Sequence, residues 1–305
     1  MKNKSAIWLE AARLRTLPLS IAGIIVGNGL AFARGSFSLL IFFFAILTTI
    51  SFQVLSNFAN DYGDGVKGTD NAKRLGPARV LQQGLLTREE LKKGMQLCAL
   101  FSLFSALFLI WLSFDSTQVY AALFFVVLGV ISIVSAIKYT VGESAYGYYA
   151  LGDLFVFVFF GGVSVLGSFY LQTQLFTPEL LLPAISIGVF STAVLNLNNL
   201  RDMENDLVSN KITLPILLGK VKGKKYHYSL IVIGFFSTLL YAYLEGGEYL
   251  YFLPLVMIIP FGKHLMRVSN SSGGKALDPE LKVVALSTFA FSILFVTGFI
   301  LDALW

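Results

Sequence analysis

Apolar positions along this chain run in nine long blocks separated by polar stretches. Each block is long enough to cross hydrocarbon, which takes about 20 helical residues. The pattern predicts helices over roughly 16–33, 37–60, 93–114, 119–138, 150–171, 179–200, 227–245, 249–267 and 283–303. This is an all-α integral membrane fold, with nine transmembrane helices in a bundle. Two blocks end in polar clusters, Asn57-Phe-Ala-Asn60-Asp61-Tyr-Gly-Asp64 and Asn198-Asn199-Leu-Arg201-Asp202-Met-Glu-Asn205-Asp206. Aligning Asn57-x-x-x-Asp61 with Asn198-x-x-x-Asp202 places the second and sixth spans in equivalent positions. Four helices then repeat as a parallel four, with a ninth appended. No linker of disordered composition divides residues 1–305, which read as a single integral-membrane domain. Residues 1–15 form an interfacial helix in this reading, and loops 63–92 and 201–226 form a cytoplasmic cap beside the clusters.

Composition agrees with the blocks. Hydrophobic residues make up 56% of the chain and charged residues 13%, too little polar surface for a soluble domain of 305 residues. Charge then sets orientation. With the N-terminus cytoplasmic, 22 of the 23 Lys and Arg residues fall on the cytoplasmic side and only Arg34 falls outside. A miscounted helix would flip every later loop, so the asymmetry supports nine spans with the C-terminus outside. The net charge of +5 reflects that rule, and no base-reading motif calls for a nucleic acid. Lys2, Lys4 and an apolar run before Ala31-Phe32-Ala33 resemble a secretory signal, but the apolar core starts too far along the chain. An amphipathic helix of Ile7, Trp8, Ala11, Ala12 and Leu14 with Glu10, Arg13 and Arg15 is the better reading. Cys98 is the one cysteine, which excludes an intrachain disulfide and packs it inside the third span. His227 and His264 stand alone near helix ends and are expected to cap helices or face solvent.

The clusters carry the chemistry. Positions i, i+3, i+4 and i+7 share one helix face, and Asn57, Asn60, Asp61 and Asp64 have that spacing. Asn198, Asp202, Asn205 and Asp206 line up in the same way. Carboxylates at membrane depth are costly, and the negative end of a helix dipole adds to the cost unless a cation is supplied. Two facing stripes of oxygen ligands suit Mg²⁺, which binds through one or two carboxylates and keeps substrate phosphates in its remaining shell. Arg201, Lys211, Lys138, Lys67, Lys73 and Arg74 lie close by in sequence and could grip a diphosphate, although the charge asymmetry alone would put most of them there. Lys138 stands out, because its loop is otherwise nearly free of basic charge. Asp153 begins the fifth span, where capping leads and catalysis is the other reading. A prenyl diphosphate fits this setting. Its tail belongs in hydrocarbon and its head with metal, while apolar and aromatic walls can shelter the allylic cation left by diphosphate departure.

At these residues the sequence resembles the UbiA superfamily of intramembrane aromatic prenyltransferases, and within it the 1,4-dihydroxy-2-naphthoate polyprenyltransferases. The resemblance rests on Arg13-Leu-Arg15-Thr-Leu-Pro-Leu, Asn57 through Asp70, Tyr139-Thr-Val-Gly142, Tyr146 through Asp153 and Leu195 through Asp206. It implies transfer of a polyprenyl chain from its diphosphate to 1,4-dihydroxy-2-naphthoate, with loss of CO₂ to give demethylmenaquinone and with Mg²⁺ required. It further implies Asp61, Asp64, Asp202 and Asp206 as metal ligands, with Asn57 and Asn60 supporting. Lys67, Arg74, Lys138, Arg201 and Lys211 would hold the diphosphate. Tyr139 and Asp153, with Lys138, are the candidates for handling the aromatic acceptor. The broad superfamily pattern has a further Asp where this chain has Gly68; Asp70 substitutes, which favours the naphthoate branch over 4-hydroxybenzoate enzymes. The expected location is the inner membrane of a bacterium, multi-pass. The rivals are a sibling enzyme acting on 4-hydroxybenzoate or homogentisate, and a non-enzymatic lipid-diphosphate carrier. Clusters at helix ends, rather than at the bilayer midplane, speak against transport.

Overall fold

The computed structural model of the chain describes residues 3–71 and 74–304. Lys2 and Lys73, counted above among the basic residues, lie outside them. Nine helices among the described residues are long and apolar enough to cross a membrane. The helices are α1 (Lys4–Ala12), α2 (Leu17–Ala33), α3 (Leu39–Lys67), α4 (Arg88–Ser113), α5 (Val119–Lys138), α6 (Gly152–Thr173), α7 (Leu181–Val208), the short α8 (Leu214–Leu218), α9 (Lys220–Leu244), α10 (Tyr249–Asn270) and α11 (Asp278–Leu304). Helices keep backbone hydrogen bonds within one segment, which is what lipid demands of a spanning element. The apolar blocks fall on the nine long helices. The main difference is one of length: α3 and α7 run past the predicted span ends at 60 and 200, which keeps both polar clusters on helical turns as their spacing implies.

The N-terminal segment bends sharply. Arg13 adopts a left-handed conformation with φ 52°, which ends α1, and Pro18 opens α2 after a short 3₁₀ turn. The Asn57 amide on α3 donates to the Ala12 carbonyl at 2.8 Å and to Thr16 Oγ1 at 3.1 Å, which pins the bend. Trp8 meets Phe58 edge to face, with ring centroids 5.4 Å apart. At α4 the start is set by a capping box between Thr87 and Glu90.

α7 is the most enclosed span and α5 among the least. Around α7 the larger core stacks Phe190 on Phe261 at 4.8 Å and sets Phe291 edge-on at 5.1 Å. A smaller core, with Leu55, Phe58 and Leu91, lies under the first motif. Arg34, the one basic residue assigned outside, pairs with Glu245 at 2.9 Å and Thr177 at 3.1 Å. The α9–α10 histidines correct the sequence expectation. Neither caps a helix nor faces solvent: His227 and His264 are fully buried, with Nε2 atoms 2.8 Å apart. His264 Nδ1 lies 2.6 Å from Glu280 on α11, and Arg267 completes the cluster. Three apolar helices meeting side by side enclose groups that the linear pattern placed at the surface.

Span α6 is unusual. Residues Phe157–Gly167 form a π-helix, whose extra residue per turn widens the segment, and Phe159 and Phe160 within it line an internal cavity. α6 lies between α2 and α7, and small residues allow the close approach, as at many membrane helix contacts. A Cβ at Gly161 would come 2.4 Å from the Ala184 carbonyl oxygen and 2.8 Å from Gly188 Cα, whereas one at Gly162 would meet nothing within 4 Å. Gly161→Ala is therefore expected to destabilise the protein by about 1–3 kcal/mol through forced separation of α6 from α7. Gly162→Ala should be neutral, or stabilising by up to about 1 kcal/mol. Thermal unfolding of the two variants in detergent compares them, and equal effects would show that α6 does not seat on α7 through Gly161.

Candidate active site

Both motifs lie on the last turns of their helices, and those ends meet. Asn205 on α7 donates to the Thr69 carbonyl at 2.9 Å, just beyond the end of α3. Near this contact six carboxylates, Asp61, Asp64, Asp70, Asp202, Asp206 and Asp278, are set among seven cations, Arg13, Arg15, Lys67, Arg74, Arg79, Arg201 and Lys211. All but Asp278 of these carboxylates are buried. A buried carboxylate without compensation costs several kcal/mol, so the cations are a structural requirement of the fold.

On the first motif, Tyr148 donates to Asp64 Oδ1 at 2.8 Å and therefore accepts from Thr69 at 2.7 Å. Arg79 approaches Asp64 at 3.8 Å and Asp70 at 3.7 Å. Arg74 pairs with Asp70 at 2.5 Å. Burial pushes the Asp70 carboxyl up to about 7; Arg74 opposes the shift, and Asp64 and Asp61 add to it. Asp61 faces the charge of Arg13 and the backbone N–H groups of Val80 and Leu81. The ammonium of Lys67 sits 3.9 Å above the Tyr148 ring. Asn57 is occupied by the α1–α2 bend, while Asn60 Oδ1 accepts from Thr140 at 3.3 Å.

On the second motif, Arg201 grips both oxygens of Asp202, at 2.9 and 2.6 Å, and also holds Asn198 and Asp278. Lys211 lies 3.7 Å from Asp206 and 5.7 Å from the Tyr148 ring centroid. Burial opposes its charge, but Asp64 and Asp206 outweigh burial and push its pKa well up. Lys211 thus joins one carboxylate from each motif. The loop that carries it is fixed by Ala150 N–H donating to the Ile212 carbonyl at 2.8 Å and Ile212 N–H to the Tyr148 carbonyl at 3.2 Å.

Oxygen atoms are left over. Asp61 Oδ1, Asp70 Oδ2, Asp206 Oδ2, Asn199 Oδ1 and Asn205 Oδ1 are buried acceptors without a donor. No three acidic, His or Cys side chains among the described residues converge to hold a metal alone. The unpartnered oxygens are the hard donors that a cation bound by one or two carboxylates takes, with phosphate oxygens completing its shell. The residues present fit Mg²⁺ on those terms.

Beside the motifs a cavity of about 330 Å³ opens between α2, α3, α4, α5 and α6. Asn60, Gln53 and Tyr139 line its polar end, and Phe125, Phe155 and Phe159 line its apolar walls. Tyr139 stands at the junction. Burial pushes its hydroxyl up to about 12 against the pull of Lys211, so it is a neutral donor. Gly152 leaves room for it, since a Cβ there would lie 3.3 Å from the hydroxyl. Tyr146 meets Tyr139 edge-on and stacks on Phe155 at 3.9 Å. Asp153 lies in the first turn of α6, buried, facing Tyr226 and leaving Oδ1 without a donor. Lys138 is exposed beside Gly142 and forms no ion pair among the described residues. The structure thus draws together Asp61, Asp64, Asp202, Asp206, Lys67, Arg74, Arg201 and Lys211, places Tyr139 and Asn60 at the cavity mouth, and leaves Lys138 at the rim. Sequence reasoning missed Arg79, Tyr148, Thr69 and Asp278; Thr69 and Tyr148, inside quoted motifs, carried a signal.

The model of the UbiA prenyltransferase family matches residues 20–279. Over 305 aligned residues the chain is 39% identical to the 1,4-dihydroxy-2-naphthoate octaprenyltransferase of Escherichia coli (strain K12), covering 98% of this chain and 97% of that protein. The protein of the same name from Haemophilus influenzae is 39% identical over 303 residues, covering 99% and 98%. A solved UbiA homolog from Archaeoglobus fulgidus bound to DMAPP and Mg²⁺ shares the fold, with a TM-score of 0.64 at 14% identity over 95% of this chain and 99% of that one. A match over most of its length, together with full-length relatives of this identity, places the chain in the UbiA prenyltransferase family.

Proposed function

We propose that this protein transfers a polyprenyl chain from its diphosphate to 1,4-dihydroxy-2-naphthoate, releasing CO₂ and diphosphate and giving demethylmenaquinone. The observation that carries this reading is continuity. An aromatic cavity inside the bundle reaches Asn60, next to Asp61, and Tyr139, within the field of Lys211 and Asp64, and so adjoins the charged cluster at the ends of α3 and α7. One site therefore takes an apolar tail and a polyanionic head. The relatives that match over the full length bear the naphthoate name. The protein is proposed to lie in a bacterial inner membrane as one domain, with the N-terminus and the cap loops 63–92 and 201–226 cytoplasmic and α1 at the interface.

In this reading Asp61 and Asp64 on one side, and Asp202 and Asp206 on the other, would hold magnesium. When bound, the metal neutralises the diphosphate and makes it a leaving group. Buried Lys211 and half-buried Lys67 turn toward the diphosphate, Arg74 and Arg79 reach it from the 74–80 loop, and Lys138 meets it at entry. Asn57 supports from behind by fixing the bend at Arg13. Once the C–O bond of the donor breaks, Phe155, Phe159 and the Tyr146 ring exclude water from the allylic cation and stabilise it through their π faces. Tyr139 donates a hydrogen bond to an acceptor oxygen, with Asp153 nearby as its buried counterpart. The new C–C bond forms at the ring, the bond to the carboxyl breaks, and its electron pair restores the aromatic system.

Purified protein given dihydroxynaphthoate, a long-chain prenyl diphosphate and Mg²⁺ should release CO₂ and form the prenylated quinol, read by mass spectrometry. A chelator should abolish turnover, and turnover that persists would refute the metal assignment. Preference for 4-hydroxybenzoate or homogentisate in an acceptor panel would reassign the substrate. Asp61→Asn and Asp206→Asn are expected to lower kcat by about 100-fold or more while the protein still folds. Lys138→Gln should raise the KM for the prenyl donor by less than about fivefold, because an exposed charge contributes under ~1 kcal/mol. A larger loss in steady-state assays would move Lys138 from the rim into the reacting centre.

A further inference from the structure

The segment between α10 and α11, residues 271–277, carries no motif, yet it packs over the helix that bears the second one. Lys220 donates to the Ser272 carbonyl, and Lys224 to the carbonyls of Ser269 and Ser271, stapling the loop to α9. Glu280 fixes the start of α11 to Arg267 and His264 on α10. Between these anchors Asp278 reaches Arg201 Nη1 at 2.5 Å. Arg201 is 4% exposed, and Gly76 of the neighbouring loop packs against its guanidinium so closely that a Cβ there would lie 2.7 Å from Nη2.

Arg201 therefore serves two carboxylates at once. One is Asp202, whose two oxygens it occupies; the other is Asp278, 77 positions away. With both acids in place the trio carries one net negative charge. Without Asp278 it would be neutral, and Arg201 would have Asp202 as its only acid. Both consequences reduce the hold of Asp202 on a divalent cation: the local field weakens, and its oxygens are bound harder by their arginine. We propose that Asp278 is a positioning residue for metal binding: it shares Arg201 with Asp202 and so leaves Asp202 available to a divalent cation. The inference rests on the metal-dependent reading above. It assigns Asp278 no contact with the metal or with either substrate.

The test is Mn²⁺ binding to the full-length protein in lipid nanodiscs, followed by the electron paramagnetic resonance signal of free Mn²⁺. Asp278→Asn should weaken Mn²⁺ affinity roughly tenfold, the usual scale for loss of a partner behind a metal ligand. Asp278→Ser, which also keeps a short polar side chain at the start of α11, should show the same loss and guards against an Asn variant that fails to fold. Asp278→Glu should restore affinity to within about threefold of wild type. Lys275→Gln, on the exposed turn just before α11, should leave it unchanged. Unaltered affinity in the neutral Asp278 variants, or an equal loss in Lys275→Gln, would overturn the proposal. So would a wild-type protein that binds no Mn²⁺. Wild-type protein that binds Mn²⁺ but transfers no prenyl group would instead sink the proposed reaction and leave the role of Asp278 standing.

Discussion

Compensation of buried carboxylates by arginine and lysine brought from elsewhere in the chain is the constraint on which the rest of this structure depends. Asp61, Asp64, Asp202 and Asp206 lie on helices that continue straight out of apolar spans, and all four are buried. None could remain there unpaired in a medium of low polarity. Asp202 is met by its neighbour Arg201, and the partners of the other three come from the α1–α2 bend, from the 74–80 loop and from Lys211, so the loops fold where the acids need them. Those same positions put cations around a space that a phosphorylated head group could enter. Stability and chemistry share one set of charges.

The scaffold keeps that end of the bundle in register with the cavity. α6 presses against α7 at Gly161 and Gly188, and its π-helical stretch turns Phe159 into the interior. The Tyr146–Phe155 stack closes the adjoining wall, next to the hydroxyl of Tyr139. A head-group site and a hydrophobic tunnel would be of little use apart, and α3, which contributes Asn60 to one and Asp61 to the other, joins them within a single helical turn.

Much of this was legible in the sequence. Block length and basic asymmetry located the nine spans, because lipid tolerates so few alternatives. The i, i+3, i+4 and i+7 spacing placed both acidic stripes, because a helix face is a local property. What escaped was set by distant contacts. Nothing local to Arg201 names Asp278, and nothing near His227 names His264, 37 positions on. Lys138 and Lys211 looked alike as isolated cations beside apolar helices, yet only Lys211 is buried between the motifs. A left-handed turn at Asn210 redirects it inward, whereas Lys138 ends α5 on its outer side. The π-helix gave no pattern at all, since its apolar run reads equally well as an ordinary helix.

The two-rung ladder between residues 148–150 and 212 has a mechanical meaning. Tyr148 leans on Asp64 and Lys211 on Asp206, and the ladder ties both to one short stretch of paired backbone. The first and second halves of the protein are thus geared together at that point. A disturbance to the loop after α7 would be felt at the end of α3 as a shift of the Tyr148 hydroxyl, with no third element needed to transmit it.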